Sequence, residues 1–301
     1  MRAPQLGTLA MTLFAVALGH LPVAGAQSFN TALPVATGRF ILREQFLHRT
    51  ASDDPTPADR NLDVLGGISV LGYGVTSDLT LFGMLPGLDK ELEVTMPGGG
   101  RISRGSSGIG DAQFFARYTV VQRDRRGRNF RIAPFLGVKA PTGDDDESDA
   151  LGRLPQPLQS GSGSWDPFGG VIATVQTLDY QIDVQLGYRA TTRANNFEFG
   201  EEFQADASFQ YRVWPRPLGG GVPGFLYGFV ETNLLHQAKN ESGGVDDPDS
   251  GGTRLFLSPG IKYVTRRWVF DVLVQLPVVQ ELGGSALKDD VVVRTGVRVN
   301  L

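Results

Sequence analysis

Asp290-Val-Val-Val-Arg-Thr-Gly-Val-Arg-Val-Asn-Leu301 is the stretch that decides the fold. With the two-residue period of a β-strand, one face is apolar and the other is polar. The first face carries Val291, Val293, Thr295, Val297, Val299 and Leu301, and the second carries Asp290, Arg294, Gly296, Arg298 and Asn300. Val292 alone breaks the alternation. A strand of this kind could belong to a soluble sheet, or it could be one strand of a membrane barrel.

The same alternation recurs throughout the chain and is cleanest between Tyr180 and Thr192. It predicts twelve strands, starting near residues 38, 62, 79, 108, 130, 165, 180, 201, 224, 253, 267 and 290. The faces of the strands at 79, 165 and 224 are ambiguous, because apolar residues occupy both parities.

The predicted connections alternate between short and long. The short ones are 76–78, 123–129, 179, 215–223 and 266, and the mostly longer ones are 49–61, 95–107, 141–164, 193–200, 240–252 and 281–289. Barrels of the outer membrane have short periplasmic turns and long outer loops, so this order predicts an all-β, twelve-stranded antiparallel transmembrane barrel with both ends in the periplasm. A soluble β-sandwich is the alternative, but its strands usually have about 5 to 6 residues, well below the lengths predicted for this chain.

The first residues have the order of a secretory signal: Arg2, an apolar run from Leu9 to Leu18, and a small-residue ending at Ala24-Gly-Ala26. We expect a cleaved signal peptide at 1–26 and one barrel domain at 27–301, beginning with a short periplasmic lead at 27–37. Cysteine is absent, which excludes disulfides and thiolate metal sites, and 39 glycines with 18 prolines favour a turn-rich β protein. A net charge of −4 gives no indication of nucleic-acid binding.

Several short motifs, in order, resemble the outer-membrane barrel family named for the MetA pathway of phenol degradation. They are Gly72-Tyr-Gly-Val-Thr-Ser-Asp-Leu-Thr-Leu81, Gly108-Ile-Gly-Asp111, Lys139-Ala-Pro-Thr-Gly-Asp144, Gly161-Ser-Gly-Ser-Trp-Asp-Pro167, Ser258-Pro-Gly-Ile-Lys-Tyr263 and Gln275-Leu-Pro-Val278. The resemblance covers roughly residues 60–301 and implies a transporter-like barrel associated with uptake of aromatic or other hydrophobic compounds. Leu301 departs from the aromatic residue that commonly ends such barrels.

The polar faces of the predicted strands carry charges of both signs. These faces should point into the lumen, because a charge that faces lipid costs about 2 to 4 kcal/mol at the midplane. We expect these residues to line the lumen: Asp111, Arg117, Arg131, Lys139, Asp183, Arg189, Asp206, Arg212, Lys262, Asp271, Arg294 and Arg298. They could line an open pore that filters solutes, or they could pair and fill a narrow barrel.

Two acidic loop segments, Asp144 to Asp149 and Asp246 to Asp249, could attract calcium or the cations that bridge lipopolysaccharide. Neither has the spacing of a dedicated calcium loop, so solvated loops are the better interpretation and no metal site is predicted. Gly98–Gly100 and Gly219–Gly221 precede no predicted helix, so they do not support a phosphate-binding loop.

An enzyme would depend on His48 or His236, near Ser52 and Ser242, since His20 is in the predicted signal. No nucleophile, base and orienting group form a recognisable set, so we expect no catalysis and no cofactor. The sequence predicts a passive outer-membrane channel for small solutes in a Gram-negative bacterium, and the family resemblance implies that these solutes are hydrophobic or aromatic. Its expected partners are membrane lipid, lipopolysaccharide and the barrel-assembly machinery. The alternatives are a closed structural or adhesive barrel that acts through its outer loops and, third, a barrel lipid hydrolase.

Overall fold

A computed structural model describes residues 31–218 and 224–301. The predicted signal peptide and Gly219–Gly221 lie outside these residues. No helix in the described ranges is long and apolar enough to span a membrane. A single 3₁₀ turn covers Gln156–Leu158.

The remaining regular structure in the described ranges is β. In chain order the strands are β1 (Phe40–Ala51), β2 (Asn61–Gly74), β3 (Leu79–Thr95), β4 (Arg101–Ile109), β5 (Gln113–Tyr118), β6 (Val121–Arg125), β7 (Arg128–Lys139), β8 (Ser148–Asp149), β9 (Gly152–Arg153), β10 (Asp166–Thr177), β11 (Tyr180–Arg189), β12 (Phe197–Glu198), β13 (Glu202–Trp214), β14 (Phe225–Gln237), β15 (Glu241–Ser242), β16 (Val245–Asp246), β17 (Gly252–Val264), β18 (Trp268–Leu282) and β19 (Val291–Asn300).

The long strands close into one antiparallel barrel. The chain's last strand, β19, pairs with β1 over the register Ile41↔Asn300 to Thr50↔Val291, and β7 pairs with β10 to complete the ring. Counting β4, β5 and β6 as one interrupted strand gives twelve strands around the barrel. The predicted fold is therefore confirmed. Because every strand has two neighbours in the membrane region, the backbone needs no hydrogen bonds from lipid.

The fourth strand around the barrel corrects two predicted connections. Residues 95–107 were expected to form a long loop, but β3 continues to Thr95 and turns at 96–100 into β4, which pairs with it. Likewise, the predicted basic turn 123–129 is mostly strand, with β6 and β7 joined directly at Arg125↔Arg128. Both segments have polar residues on their outward faces, so they lack the apolar alternation that marks a strand in lipid.

Two more loops contain short strands. β12, from the predicted loop 193–200, pairs with β15, and β15 pairs with β16 in the predicted loop 240–252. The loop 141–164 contains the β8–β9 hairpin and the 3₁₀ turn. Strands of two residues lie below the length at which a sequence period can be recognised.

The outside of the barrel carries an apolar band. Nearly every barrel strand contributes large exposed apolar side chains: Phe46, Leu65, Leu81, Phe114, Leu136, Val171, Leu186, Phe209, Val230, Leu257 and Phe270. Exposed rings lie at one end of the band, which also holds the chain end: Leu301 N donates to Phe40 O (2.8 Å), and Tyr73, Tyr118, Trp214 and Trp268 are exposed there. Rings of this kind settle at the headgroup level of a bilayer, so the exterior is that of an outer-membrane barrel. We call this the short-turn end and its opposite the long-loop end.

Candidate functional site: the barrel lumen

One half of the lumen wall is apolar, which the sequence reading did not anticipate. Even-numbered residues of β2 and β3 point inward and are buried, among them Leu62, Val64, Ile68, Val70, Phe82, Met84, Leu92 and Val94. This explains why the strand at 79 was ambiguous: its outward residues face lipid while its inward residues face an apolar lumen. Charged inward residues were the expected signal, and these two strands carry few of them.

Four phenylalanine rings extend the apolar half around the wall. Phe82 stacks on Phe115 with ring centroids 4.6 Å apart, and Phe168 lies 6.0 Å from Phe115 and 6.5 Å from Phe135. Gly137 makes room for them, because a Cβ there would lie 2.4 Å from Phe115 Cβ and 2.6 Å from Phe168 Cζ. These inward side chains therefore form an aromatic surface, called here the phenylalanine cluster (Phe82, Phe115, Phe135 and Phe168).

The opposite half of the wall is polar and densely paired. Arg43 Nη2 lies 2.9 Å from Asp271 Oδ1. Asp289 forms ion pairs with both Arg49 (2.5 Å) and Arg254 (3.1 Å). These groups are all buried. Gly296 faces the first pair, since a Cβ at this position would lie 2.4 Å from Arg43 Nη2. Pairing of this kind keeps charged groups inside the barrel at tolerable desolvation cost.

All twelve residues expected to line the lumen are described, and their surroundings are now defined. Eleven are buried, and Arg298 is half-buried. Two of them, Asp111 and Lys139, form an ion pair with each other at 3.0 Å. Nine of the others contact different partners: Arg117 with Leu33 O, Arg131 with Asp124, Asp183 with Thr174, Arg189 with Glu202, Asp206 with Asn233, Arg212 with Asp179, Lys262 with Gln210, Asp271 with Arg43 and Arg294 with Gln275.

The sequence reading missed several members of the polar half, above all Arg43, Arg49, Glu202, Glu231 and Arg254. The two arginines of β1 share the inward parity of Gln45, so the same alternation could have identified them. Asp289 lies in a connection rather than in a strand and has no period to reveal it.

Part of the long loop 141–164 lies inside the barrel at the long-loop end. Leu158 and Gln159 are at most 1% exposed, and Lys90 Nζ donates to the carbonyls of Pro157 (3.1 Å) and Gln159 (2.7 Å). Ser162 donates through its amide (2.9 Å) and its hydroxyl (2.6 Å) to Asp111. We call residues 155–164 the inserted loop.

Lys139 is the centre of this anchorage. Its ammonium contacts Asp111 at 3.0 Å and Asp166 at 2.7 Å, and it donates to the hydroxyls of Ser162 and Ser164. A buried ammonium between two carboxylates and two hydroxyls has all its donors engaged. This cluster joins the inserted loop to β7 and β10.

The segment before β1 lies inside the barrel at the other end. The periplasmic lead predicted for 27–37 is wrong for its described part: Ala32 N donates to Thr174 Oγ1 (2.8 Å) and Val35 N to Thr80 Oγ1 (3.2 Å). Arg117 Nη2 donates to Leu33 O at 2.7 Å. Residues 31–36, called here the strap, therefore cross the lumen from β10 to β3 and β5. Polar groups on the barrel wall satisfy the strap's backbone, which a reading by strand period cannot detect.

Among the described residues, the lumen contains a smaller and a larger cavity. The smaller, about 80 Å³, lies between the inserted loop and the apolar wall formed by Leu62, Val64 and Ile68. The larger, about 590 Å³, lies at the short-turn end beside the strap. Phe82 of the phenylalanine cluster lines the larger cavity.

The other candidate sites do not assemble. His48 Nε2 lies 2.7 Å from Asp63 Oδ2 and His236 Nδ1 lies 2.9 Å from Thr253 Oγ1, both on the exposed surface and without a hydrogen bond to Ser52 or Ser242. In the two described ranges, no group of three or more histidine, aspartate or glutamate side chains could hold a metal ion.

Comparison with solved structures gives the fold. An outer membrane channel from Pseudomonas putida F1 is 15% identical, with a TM-score of 0.67 over 90% of this chain and 98% of that one. Two matches are more distant: the β domain of the Bordetella autotransporter BrkA (13%, TM-score 0.44, 88% and 100%) and Pseudomonas aeruginosa OccK11 (11%, TM-score 0.38, 90% and 99%). No curated protein matches this sequence.

A family model covers most of the chain. It is described as the putative MetA-pathway of phenol degradation and matches residues 47–278. This protein is a member of the MetA-pathway phenol degradation family.

Proposed function

We propose that this protein is a passive outer-membrane channel for small solutes with an apolar or aromatic body. The observation that carries the proposal is the division of the lumen into an apolar half, with the phenylalanine cluster, and a polar half of ion pairs. A plug needs no continuous apolar wall facing a cavity, whereas a solute with an aromatic ring gains free energy by contact with one. The fold shared with the Pseudomonas putida channel supports the same proposal.

Solute would move down its gradient from the long-loop end, past the inserted loop and the phenylalanine cluster, to the cavity beside the strap. The polar half presents fixed charges to the solute. The apolar half presents aromatic rings, and the solute passes from contact with one ring to contact with the next. The inserted loop occupies the first part of this path, so its anchorage by Lys139 and Asp111 sets how often the path opens.

The anchorage can be weakened by one small change. We expect Ser162→Ala to raise the rate of solute entry several-fold, because it removes the hydroxyl bonds to Asp111 and Lys139, each worth roughly 1 to 3 kcal/mol. Swelling of proteoliposomes in benzyl alcohol and in arabinose, after subtraction of the swelling of protein-free liposomes in the same solute, measures entry. Ser148→Ala, an exposed serine of the same loop, is the control and should behave like the unaltered protein.

A closed structural barrel is the second candidate, favoured by the burial of Leu158 and Gln159 within the lumen. It predicts no swelling with any solute, for the unaltered protein and for Ser162→Ala alike. Faster swelling with benzyl alcohol than with arabinose supports the channel, and equal swelling with both contradicts the assignment of apolar solutes.

A further inference from the structure

The larger cavity, at the short-turn end, has an unusual charge. Four cationic side chains line it, Arg39, Arg117, Lys262 and Arg298, and no aspartate or glutamate side chain is among its described lining residues. The protein as a whole has a net charge of −4, so this excess is local and opposite in sign. Like charges that converge on one cavity repel one another unless an anion enters.

None of these cations has a carboxylate within ion-pair distance among the described residues. Lys262 donates to the amide oxygen of Gln210 (2.8 Å), and Arg117 donates to the carbonyl of Leu33 (2.7 Å). Arg298 Nε is buried without a hydrogen-bond partner in the described structure. The cations therefore use neutral acceptors or none.

Three carboxylates behind the lining attract Lys262, but each has other partners. Asp271 is paired with Arg43 at 2.9 Å, Asp183 accepts from Thr174 at 2.6 Å, and Glu231 also attracts Arg294. Arg117 and Arg298 in turn repel each other. Asp271 also attracts Arg298, but every charged side chain on the described lining itself is a cation.

The rest of the lining is mixed, with the polar residues Gln176, Gln181, Gln210, Tyr227 and Asn300 beside an apolar patch. Ile41, Phe82 and Val269 face the cavity, and the Arg117 guanidinium lies over the Phe82 ring, 4.9 Å from its centroid. A cavity of about 590 Å³ is within the size range of small-molecule sites. A guanidinium beside an aromatic face suits a ligand whose negative group and apolar body are adjacent.

We infer, resting on the proposed channel function, that this cavity binds organic monocarboxylates with an apolar or aromatic body as they leave the barrel. The carboxylate lies between Arg117 and Arg298, and the apolar body lies against Phe82 and Ile41. Binding replaces the Leu33 carbonyl on Arg117 with a carboxylate. A charge-assisted hydrogen bond is roughly twice as strong as a neutral one, so the carboxylate displaces the strap locally.

Calorimetric titration of the full protein in detergent tests the inference with four probes: benzoate, benzyl alcohol, benzylammonium and chloride. We expect benzoate to bind at one site at least about tenfold more tightly than the other three, as loss of one charged hydrogen bond predicts. Equal binding of benzoate and benzyl alcohol, or of benzoate and chloride, would overturn the inference.

Two variants assign the site. Arg298→Gln and Arg117→Gln should each weaken benzoate binding about tenfold, whereas Arg126→Gln, in an exposed turn and not among the described residues that line the cavity, should leave it unchanged. Arg117 also holds the strap, so folding is checked by the shift in gel mobility on heating. If Arg117→Gln does not fold, Arg298→Gln decides alone, and unaltered benzoate binding by it contradicts the site.

The inference and the proposed function fail separately. Benzoate binding without swelling of proteoliposomes by any solute would leave the site and remove the channel. Swelling with benzyl alcohol but no benzoate binding would leave the channel and remove the site.

Discussion

At the scale of single residues, the aromatic surface of the lumen depends on a position that has no side chain. Gly137 lies on β7 between the rings of Phe115 and Phe168, and its ideal Cβ would also lie 2.5 Å from Phe114 O. Phe114 O and Phe115 Cβ cannot both move away from a Cβ at position 137. The packing of the phenylalanine cluster therefore requires glycine at this position.

Gly137→Ala should therefore destabilise the barrel by about 1 to 3 kcal/mol, the usual cost of overpacking. The change is measured by urea unfolding in detergent, followed by tryptophan fluorescence. Gly83→Ala on the nearby β3 is the matched control, because its nearest neighbour atom would lie 3.7 Å away. Equal stability of the two variants would contradict the packing of the phenylalanine cluster.

At the scale of elements, the loop between β1 and β2 is held by one carboxylate. Asp54 accepts from Thr56 N (3.1 Å), Arg60 N (2.7 Å) and Arg60 Nε (2.9 Å), and the pair is buried. Burial raises the pKa of Asp54, but the hydrogen bonds from Arg60 and Thr56 outweigh it and lower the pKa to about 2. The charged form is thus preferred in the folded loop.

This lowered pKa makes the order of the loop depend on pH. Because the folded pKa is depressed, the stabilisation is complete above the unfolded value of 3.8 and is lost as the pH falls through about 2. We expect about 1 kcal/mol, after allowance for screening by water. Hydrogen exchange of residues 52–60, corrected for intrinsic rates, should show protection at pH 5 that declines toward pH 2. Asp54→Asn should abolish this dependence, and an identical profile in the variant would refute it.

The elements also show what could be predicted from sequence. The twelve barrel strands were predictable because lipid outside and polar groups inside impose a period of two, as in β11 and β13. The boundaries of β4 were not, since Ser103, Gly105 and Ser107 face outward where the hairpin carries no apolar band. The apolar half, the inserted loop and the strap were missed because contacts between distant segments, such as Ser162 with Asp111 and Leu33 with Arg117, leave no local pattern.

At the scale of the whole molecule, burial and exposure are inverted relative to a soluble protein. Leu136 is 71% exposed on the outer wall, whereas Arg43 and Asp271 are buried inside. This inversion is stable only if lipid covers the outer band.

Leu136→Arg should therefore destabilise the barrel in a bilayer by about 2 kcal/mol, the cost of placing a cation among acyl chains. Leu151→Arg is the control, since Leu151 is also exposed, at 59%, but lies in the loop beyond the barrel strands. Reversible unfolding in lipid vesicles measures both. A loss for Leu151→Arg equal to that for Leu136→Arg would place the lipid boundary elsewhere.

The most direct test of the central claim, that this barrel is a channel, is the electrical conductance of the purified full-length protein in planar lipid bilayers. We expect discrete conductance steps for the unaltered protein, and larger or more frequent steps when residues 156–162 are replaced by a glycine linker that frees the lumen beside Lys90 and Asp111. Absence of steps in both proteins, with insertion confirmed by the gel shift on heating, would contradict the claim.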